Sequence, residues 1–209
     1  MAGKMKKSSS RRIVELSILF LIGTWLLITA LRAGSEMAVP YAYDDLIDTY
    51  AEKYDLDKSL VAAVIYQESR FRPQVVSRTG ATGLMQIMPD TARLIARQMG
   101  ETYNPAALTD MNTNIRYGTF YLSTIQGQLS NNSVLATAGY NAGPNRARRW
   151  QPEFQNMAAD QYTESIPLLE TRDYVKHVMT NATHYGLLLG QGAQSISKRM
   201  QQIPMRNTQ

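Results

Sequence analysis

From Asp44 to Leu189 the apolar residues of this chain recur at steps of three and four, and no stretch alternates as a strand would. Asp44–Tyr54 places Leu46, Ile47, Tyr50, Ala51 and Tyr54 on one helical face. Asp57 is a candidate N-cap for a second helix, whose stripe runs Val61, Val64, Ile65 and then Glu68. Pro89 suits the first turn of a helix that buries Ala92, Ile95 and Met99 and stops at Gly100. Asn112–Leu129 carries Ile115, Gly118, Leu122, Ile125 and Leu129 on one seam, where Gly118 would let another helix approach closely. A short helix is expected over Val134–Tyr140, ending at Asn141-Ala142-Gly143-Pro144. A long one over Glu170–Leu189 should bury Tyr174, Val178, Ala182, Tyr185 and Leu189. The expected class is all-α: a compact helical domain, not a simple bundle.

The 209 residues suffice for one domain with a core plus flanking segments. No cysteine is present, which excludes disulfides, thiolate catalysis, iron–sulfur clusters and lipid on an N-terminal cysteine. His177 and His184 are the only histidines, so a multi-histidine metal site is not expected, and neither is any cofactor. The net charge of +5 invites a nucleic-acid reading, but Lys4, Lys6, Lys7, Arg11 and Arg12 account for it and leave the remainder formally neutral. No nucleic-acid partner is expected.

That basic segment, residues 1–12, leads into an apolar segment over 13–31, of which Leu16–Leu31 is free of charge. A cleaved signal peptide and an uncleaved membrane anchor both fit. Ala33-Gly34-Ser35 after Arg32 is a weak cleavage site, which favours the anchor. By the positive-inside rule the N-terminus stays cytoplasmic and the domain is exported. Residues 32–40 read as a linker, 41–189 as the working domain, and the Gln/Ser-rich 190–209 as a disordered tail.

Four places could carry chemistry. Glu68 ends an apolar stripe, where lost hydration would raise its pKa and suit it to general acid work; alternatively it is a surface glutamate paired with Arg70 or Arg72. Ser77–Pro89 is punctuated by Gly80 and Gly83, and surrounds Gln86 with Leu84, Met85, Ile87 and Met88. An apolar wall with one amide suits a sugar, though a buried helix-to-helix connection would use the same residues. Tyr140 and Asn141 could line a cleft or simply form a helix end and turn. Glu164 and Glu170 could contact a ligand, or be an ordinary exposed acid and a helix N-terminal acid.

In order, the chain reads E-S-R-F-R-P from Glu68, S-x-x-G-A-x-G-L-M-Q-I-M-P-x-T-A from Ser77 and N-x-N-I-x-x-G-x-x-Y-L from Asn112. It continues Y-N-A-G-P-x-R-x-x-x-W from Tyr140 and E-S-I-P-x-x-E-T-R-x-Y-V-K from Glu164. These five blocks resemble the catalytic domain of bacterial soluble lytic transglycosylases over more than half the chain. The resemblance implies a lysozyme-like helical domain with a substrate groove, acting on the glycan strands of peptidoglycan. It makes Glu68 the lone catalytic acid/base and places Ser77 near the substrate's N-acetyl group and the catalytic carboxyl. It has Gln86 and Met88 line the groove, Tyr140 and Asn141 flank the reacting ring, and Glu170 contact substrate farther along. Gly139 stands where such domains usually have alanine, and the helical superstructure that precedes the domain in larger members is not expected.

Most glycosidases use two carboxylates. Between Glu68 and Glu164 the motif blocks hold no acid but Asp90, with Ser77–Pro89 wholly free of acids. This agrees with the substrate-assisted route the resemblance implies, in which Glu68 cleaves the MurNAc–GlcNAc bond and leaves a 1,6-anhydro end. A muramidase-type hydrolase on the same scaffold and a non-catalytic wall-binding module are the alternatives. The expected location is the periplasmic face of the inner membrane, or the periplasm if the segment 13–31 is removed.

Overall fold

The computed structural model describes residue 15, residues 17, 18 and 20–25, residues 42–154, residue 157 and residues 161–191. Met1–Val39 and Pro40–Gln209 are separate compact units. In the first, residues 20–25 are helical, and among the described residues no helix is long and apolar enough to cross a membrane. The basic segment 1–12, most of the apolar segment 13–31, the linker 32–40 and the tail beyond 191 lie outside the described residues.

The second unit consists of helices. They are α1 (Asp44–Lys53), α2 (Lys58–Ser69), α3 (Pro89–Gln98), α4 (Met111–Gln128), α5 (Ser133–Ala142), α6 (Pro144–Phe154) and α7 (Leu169–Leu188), with a 3-10 turn over Pro105–Thr109. No strand occurs among the described residues; Val76–Thr82 and Thr82–Ile87 form isolated antiparallel bridges within one loop. Local chemistry sets the helix ends. Asp57 caps α2 by accepting from Ser59 N at 2.8 Å, Asp110 caps α4 through Thr113 N at 2.8 Å, and Asn132 caps α5 through Leu135 N at 3.0 Å. Pro89 opens α3, where its missing N–H costs nothing.

Helix α2 is central. Every residue from Leu60 to Ile65 is buried, so it is enclosed on all sides and not only along the stripe expected from the sequence. Its most extensive partner is α7, which buries Thr171, Tyr174, Val175, Val178, Ala182 and Tyr185. Two consecutive left-handed residues, Arg70 at φ 54 and Phe71 at φ 58, end α2 one turn beyond its core. Phe71 then packs among Tyr43, Tyr66 and Tyr185.

The helix over Pro144–Phe154 and the 3-10 turn were not expected from the pattern. In α6 the buried residues are Ala147, Trp150 and Phe154, spaced as one helical face but diluted by Arg146, Arg148, Arg149 and the internal Pro152. Gly118 does sit at a close approach, but the group it admits is the side chain of Met85; a Cβ there would lie 2.3 Å from Met85 Sδ. At Gly139 a Cβ would meet Ile125 Cγ2 at 2.8 Å, so the branched isoleucine fills the space that alanine would take.

The loop from Val75 to Ile87 is knitted by one buried amide. Asn114, only 1% exposed, accepts from Met85 N at 2.7 Å and donates to Thr82 O at 2.9 Å and Leu108 O at 2.7 Å. Gly83 lies against it with φ 82; a Cβ there would fall 2.2 Å from Asn114 Nδ2. Asn114→Ala removes these three bonds and leaves buried backbone groups unpaired. At about 1 kcal/mol for each bond, it should lower stability by about 3 kcal/mol. Urea unfolding checks this, and a loss below about 1 kcal/mol would mean that the loop is held by its apolar contacts instead.

Candidate active site

Glu68 lies in the last turn of α2, half-buried, and receives a hydrogen bond from the Tyr174 hydroxyl to Oε1 at 2.7 Å. Two effects oppose each other there. Burial disfavours the carboxylate, while the tyrosine hydrogen bond favours it. Burial wins, and the pKa is pushed up to about 7. The surface-glutamate alternative does not hold. Arg70 lies over the Tyr66 ring at 4.1 Å, Arg72 Nε donates to Ser69 O at 3.0 Å, and no ion pair reaches Glu68 among the described residues.

Tyr140, at the end of α5, donates its hydroxyl to Met85 O at 2.8 Å. Burial, helped by the charge of Glu68, holds the hydroxyls of both Tyr140 and Tyr174 well above the usual tyrosine range. Both therefore stay protonated and act as donors around the acid. No second carboxyl group takes part in setting the pKa of Glu68, and no cluster that could hold a metal occurs among the described residues.

The other residues singled out in the sequence fall into two groups. Asn141 is exposed beside Tyr140, and its Oδ1 accepts from Thr171 Oγ1 at 2.7 Å. Met88 is 40% exposed at the entrance to α3, leaving an apolar surface next to the loop. Glu170 is exposed in the first turn of α7. Ser77 Oγ and Gln86 Nε2, in contrast, are engaged inside the loop. Ser77 Oγ accepts from Ala81 N at 2.9 Å and pairs with Thr79 Oγ1 at 3.0 Å. Gln86 is left-handed at φ 47, and its Nε2 donates to Val75 O at 3.0 Å and Gly83 O at 2.8 Å. Glu164 pairs with Lys176 at 2.9 Å on the surface.

Sequence reasoning missed Tyr174 and Thr171 as site residues. Tyr174 was expected in the core, and it is buried; what the helical period cannot tell is that its hydroxyl ends on Glu68. The signal that could have found both is the E-T-R-x-Y run, which places two hydroxyls three residues apart on one face of a buried helix.

Two variants test this electrostatic balance. Tyr174→Phe deletes the bond that favours the carboxylate, so the Glu68 pKa should rise above about 7, as read by carbon-13 NMR titration of the carboxyl group. An unmoved midpoint would remove the tyrosine from the account. Glu68 binds its proton more tightly in the folded chain than in the unfolded one, so its contribution to stability falls as pH rises from about 4.5 to about 7. Glu68→Gln should therefore be more stable than the parent at pH 8, by roughly 3 kcal/mol, and the two should converge near pH 4. Parallel denaturation curves at the two pH values would contradict the buried-acid reading.

Residues 45–163 match the family model described as "Transglycosylase SLT domain", and residues 165–194 match "Soluble lytic transglycosylase helical domain". The soluble lytic murein transglycosylase of Salmonella typhimurium is 40% identical over 159 residues, covering 75% of this chain and 25% of that protein. The membrane-bound lytic murein transglycosylase F of Desulfosudis oleivorans is 34% identical over 140 residues, covering 62% of this chain and 29% of the relative. The crystal structure of the 70 kDa soluble lytic transglycosylase from Escherichia coli superposes with a TM-score of 0.71 at 39% identity, over 74% of this chain and 26% of that one. An inactive mutant of the lytic transglycosylase Slt from Pseudomonas aeruginosa gives 0.69 at 39% identity, over 73% and 25%. The chain thus spans about a quarter of the length of these soluble relatives. The first model alone covers more than half of the chain, with the three site segments from Glu68 to Asn141 inside it. The chain belongs to the transglycosylase SLT domain family.

Proposed function

We propose that this protein is a peptidoglycan lytic transglycosylase, cleaving the β-1,4 bond between N-acetylmuramic acid and N-acetylglucosamine with formation of a 1,6-anhydro end. The observation that carries the reading is a single half-buried carboxyl group with a pKa near 7, hydrogen-bonded by a tyrosine and without a carboxylate partner. A pKa close to the working pH lets one group both give and retrieve a proton. Protonated Glu68 donates to the glycosidic oxygen as the C1–O bond breaks. The substrate's N-acetyl oxygen supports the charge that develops at C1. Ionised Glu68 then removes the proton from the muramic acid 6-hydroxyl, and O6 closes on C1. No water is consumed, and Glu68 ends protonated as it began.

In this reading residues 41–189 form the catalytic domain, and Tyr140 and Asn141 flank the reacting ring. Met88 lends its apolar surface to the groove, Ser77 and Gln86 shape the loop beside the N-acetyl group, and Glu170 meets the strand farther along. Residues 13–31 anchor the domain at the periplasmic face of the inner membrane. Support comes from the charge-free run after five basic residues, and from relatives of both soluble and membrane-bound description. N-terminal sequencing of exported protein should return the intact N-terminus; a start after Ala33 would make the segment a signal peptide instead.

Digestion of purified sacculi followed by mass spectrometry tests the reaction. The parent should release anhydro-muropeptides, and Glu68→Gln should lose at least about a hundredfold in turnover, as expected when a general acid–base group is removed. Products heavier by one water would assign a hydrolase. Binding without any released fragment would assign a wall-binding module.

A further inference from the structure

We infer that Thr171 is a positioning residue: its hydroxyl holds the amide of Asn141 with the nitrogen turned outward, making the subsite beside Glu68 selective for an amide carbonyl of the glycan strand. The inference rests on the proposed function, which supplies the substrate class. Thr171 is fully buried, at 0% exposure, in the first turn of α7, where a threonine hydroxyl could serve its own helix. It reaches out of the helix instead, and donates to Asn141 Oδ1 at 2.7 Å. Asn141 is the penultimate residue of α5 and is exposed.

An asparagine side chain has one acceptor atom and one donor atom, and a free amide rotates to offer either. Here the acceptor is occupied from the buried side, and Nδ2 has no partner among the described residues. With Oδ1 facing the Thr171 hydroxyl, Nδ2 is the atom turned outward, and it is a donor. A peptidoglycan strand presents two kinds of matching acceptor near a muramic acid ring, the N-acetyl carbonyl and the lactyl amide carbonyl. Three residues along the same face of α7, the Tyr174 hydroxyl ends on Glu68 at 2.7 Å. One rigid helix therefore sets the spacing between the acid and the donor amide, and Asn141 adjoins Tyr140, whose hydroxyl is tied to the loop at Met85 O.

The test measures binding and turnover separately. In a Glu68→Gln background, Thr171→Val should weaken binding of purified glycan strands about fivefold, the size of one ordinary hydrogen bond, and Thr171→Ser should restore it. In the active chain Thr171→Val should raise KM by a similar factor with kcat within about twofold, and the melting temperature should stay close to the parent's. Asn141→Asp, an exposed change that keeps the acceptor and loses the donor, should bind at least as weakly as Thr171→Val. The double variant Thr171→Val/Asn141→Ala should bind no worse than Asn141→Ala alone. De-N-acetylated strands identify the carbonyl: a vanished penalty assigns the N-acetyl group, and a persisting one the lactyl amide.

Parent-like binding by Thr171→Val or by Asn141→Asp, failure of Thr171→Ser to rescue, or additive losses in the double variant would each overturn the inference. If the parent binds strands with this Thr171 dependence but releases no anhydro-muropeptides, the proposed reaction fails and the positioning role stands. Absence of any binding by the Glu68→Gln parent overturns both.

Discussion

A carboxyl group held where water reaches it poorly is unstable as a charge, and the domain is built around that instability at Glu68. Burial among the ends of α2, α5 and α7 raises its pKa to about 7, while a single tyrosine hydroxyl keeps the ionised form accessible. More donors would favour the carboxylate further, and none would raise the pKa. The balance depends on α2 and α7 being packed tightly, because the donor and the acceptor come from different helices. The most extensive helix pairing in the domain is the one that brings them together.

The loop from Val75 to Ile87 has the opposite problem. It is rich in backbone polar groups and lies between buried helices, so its N–H and C=O groups need partners. Asn114 supplies three of them and Gln86 two more. Gly83 makes room for the asparagine, and Gly118 makes room for Met85. Tyr140 then closes the circuit by bonding Met85 O, so that hydrogen bonds tie α5, the loop and α4 together. In the proposed reaction such bracing would serve an acid that must stay aligned with two different oxygens in turn.

Most of the helical scaffold was legible along the chain. The cap at Asp57, Pro89 at a helix start and apolar steps of three and four are local signals, and the helices formed within a residue or two of where those signals put them. The helix over Pro144–Phe154 escaped notice because its three buried residues are interrupted by arginines and an internal proline. The roles of Gly118 and Gln86 were only half legible: that Gly118 accepts a methionine instead of a helix, and that Gln86 braces the loop from within, depends on residues far away in sequence.

By itself the sequence determined the class of fold and the family and singled out Glu68 as the candidate acid, because periodicity, capping and motif order are properties of neighbouring residues. Only the tertiary structure decided that Glu68 is an acid near neutrality, that Tyr174 is more than a core residue and that Thr171 reaches Asn141. These facts come from desolvation and from hydrogen bonds between helices, spanning 106 residues from Glu68 to Tyr174 and 30 from Asn141 to Thr171. Neither the loss of water nor a distance in space is a property of any local stretch of chain.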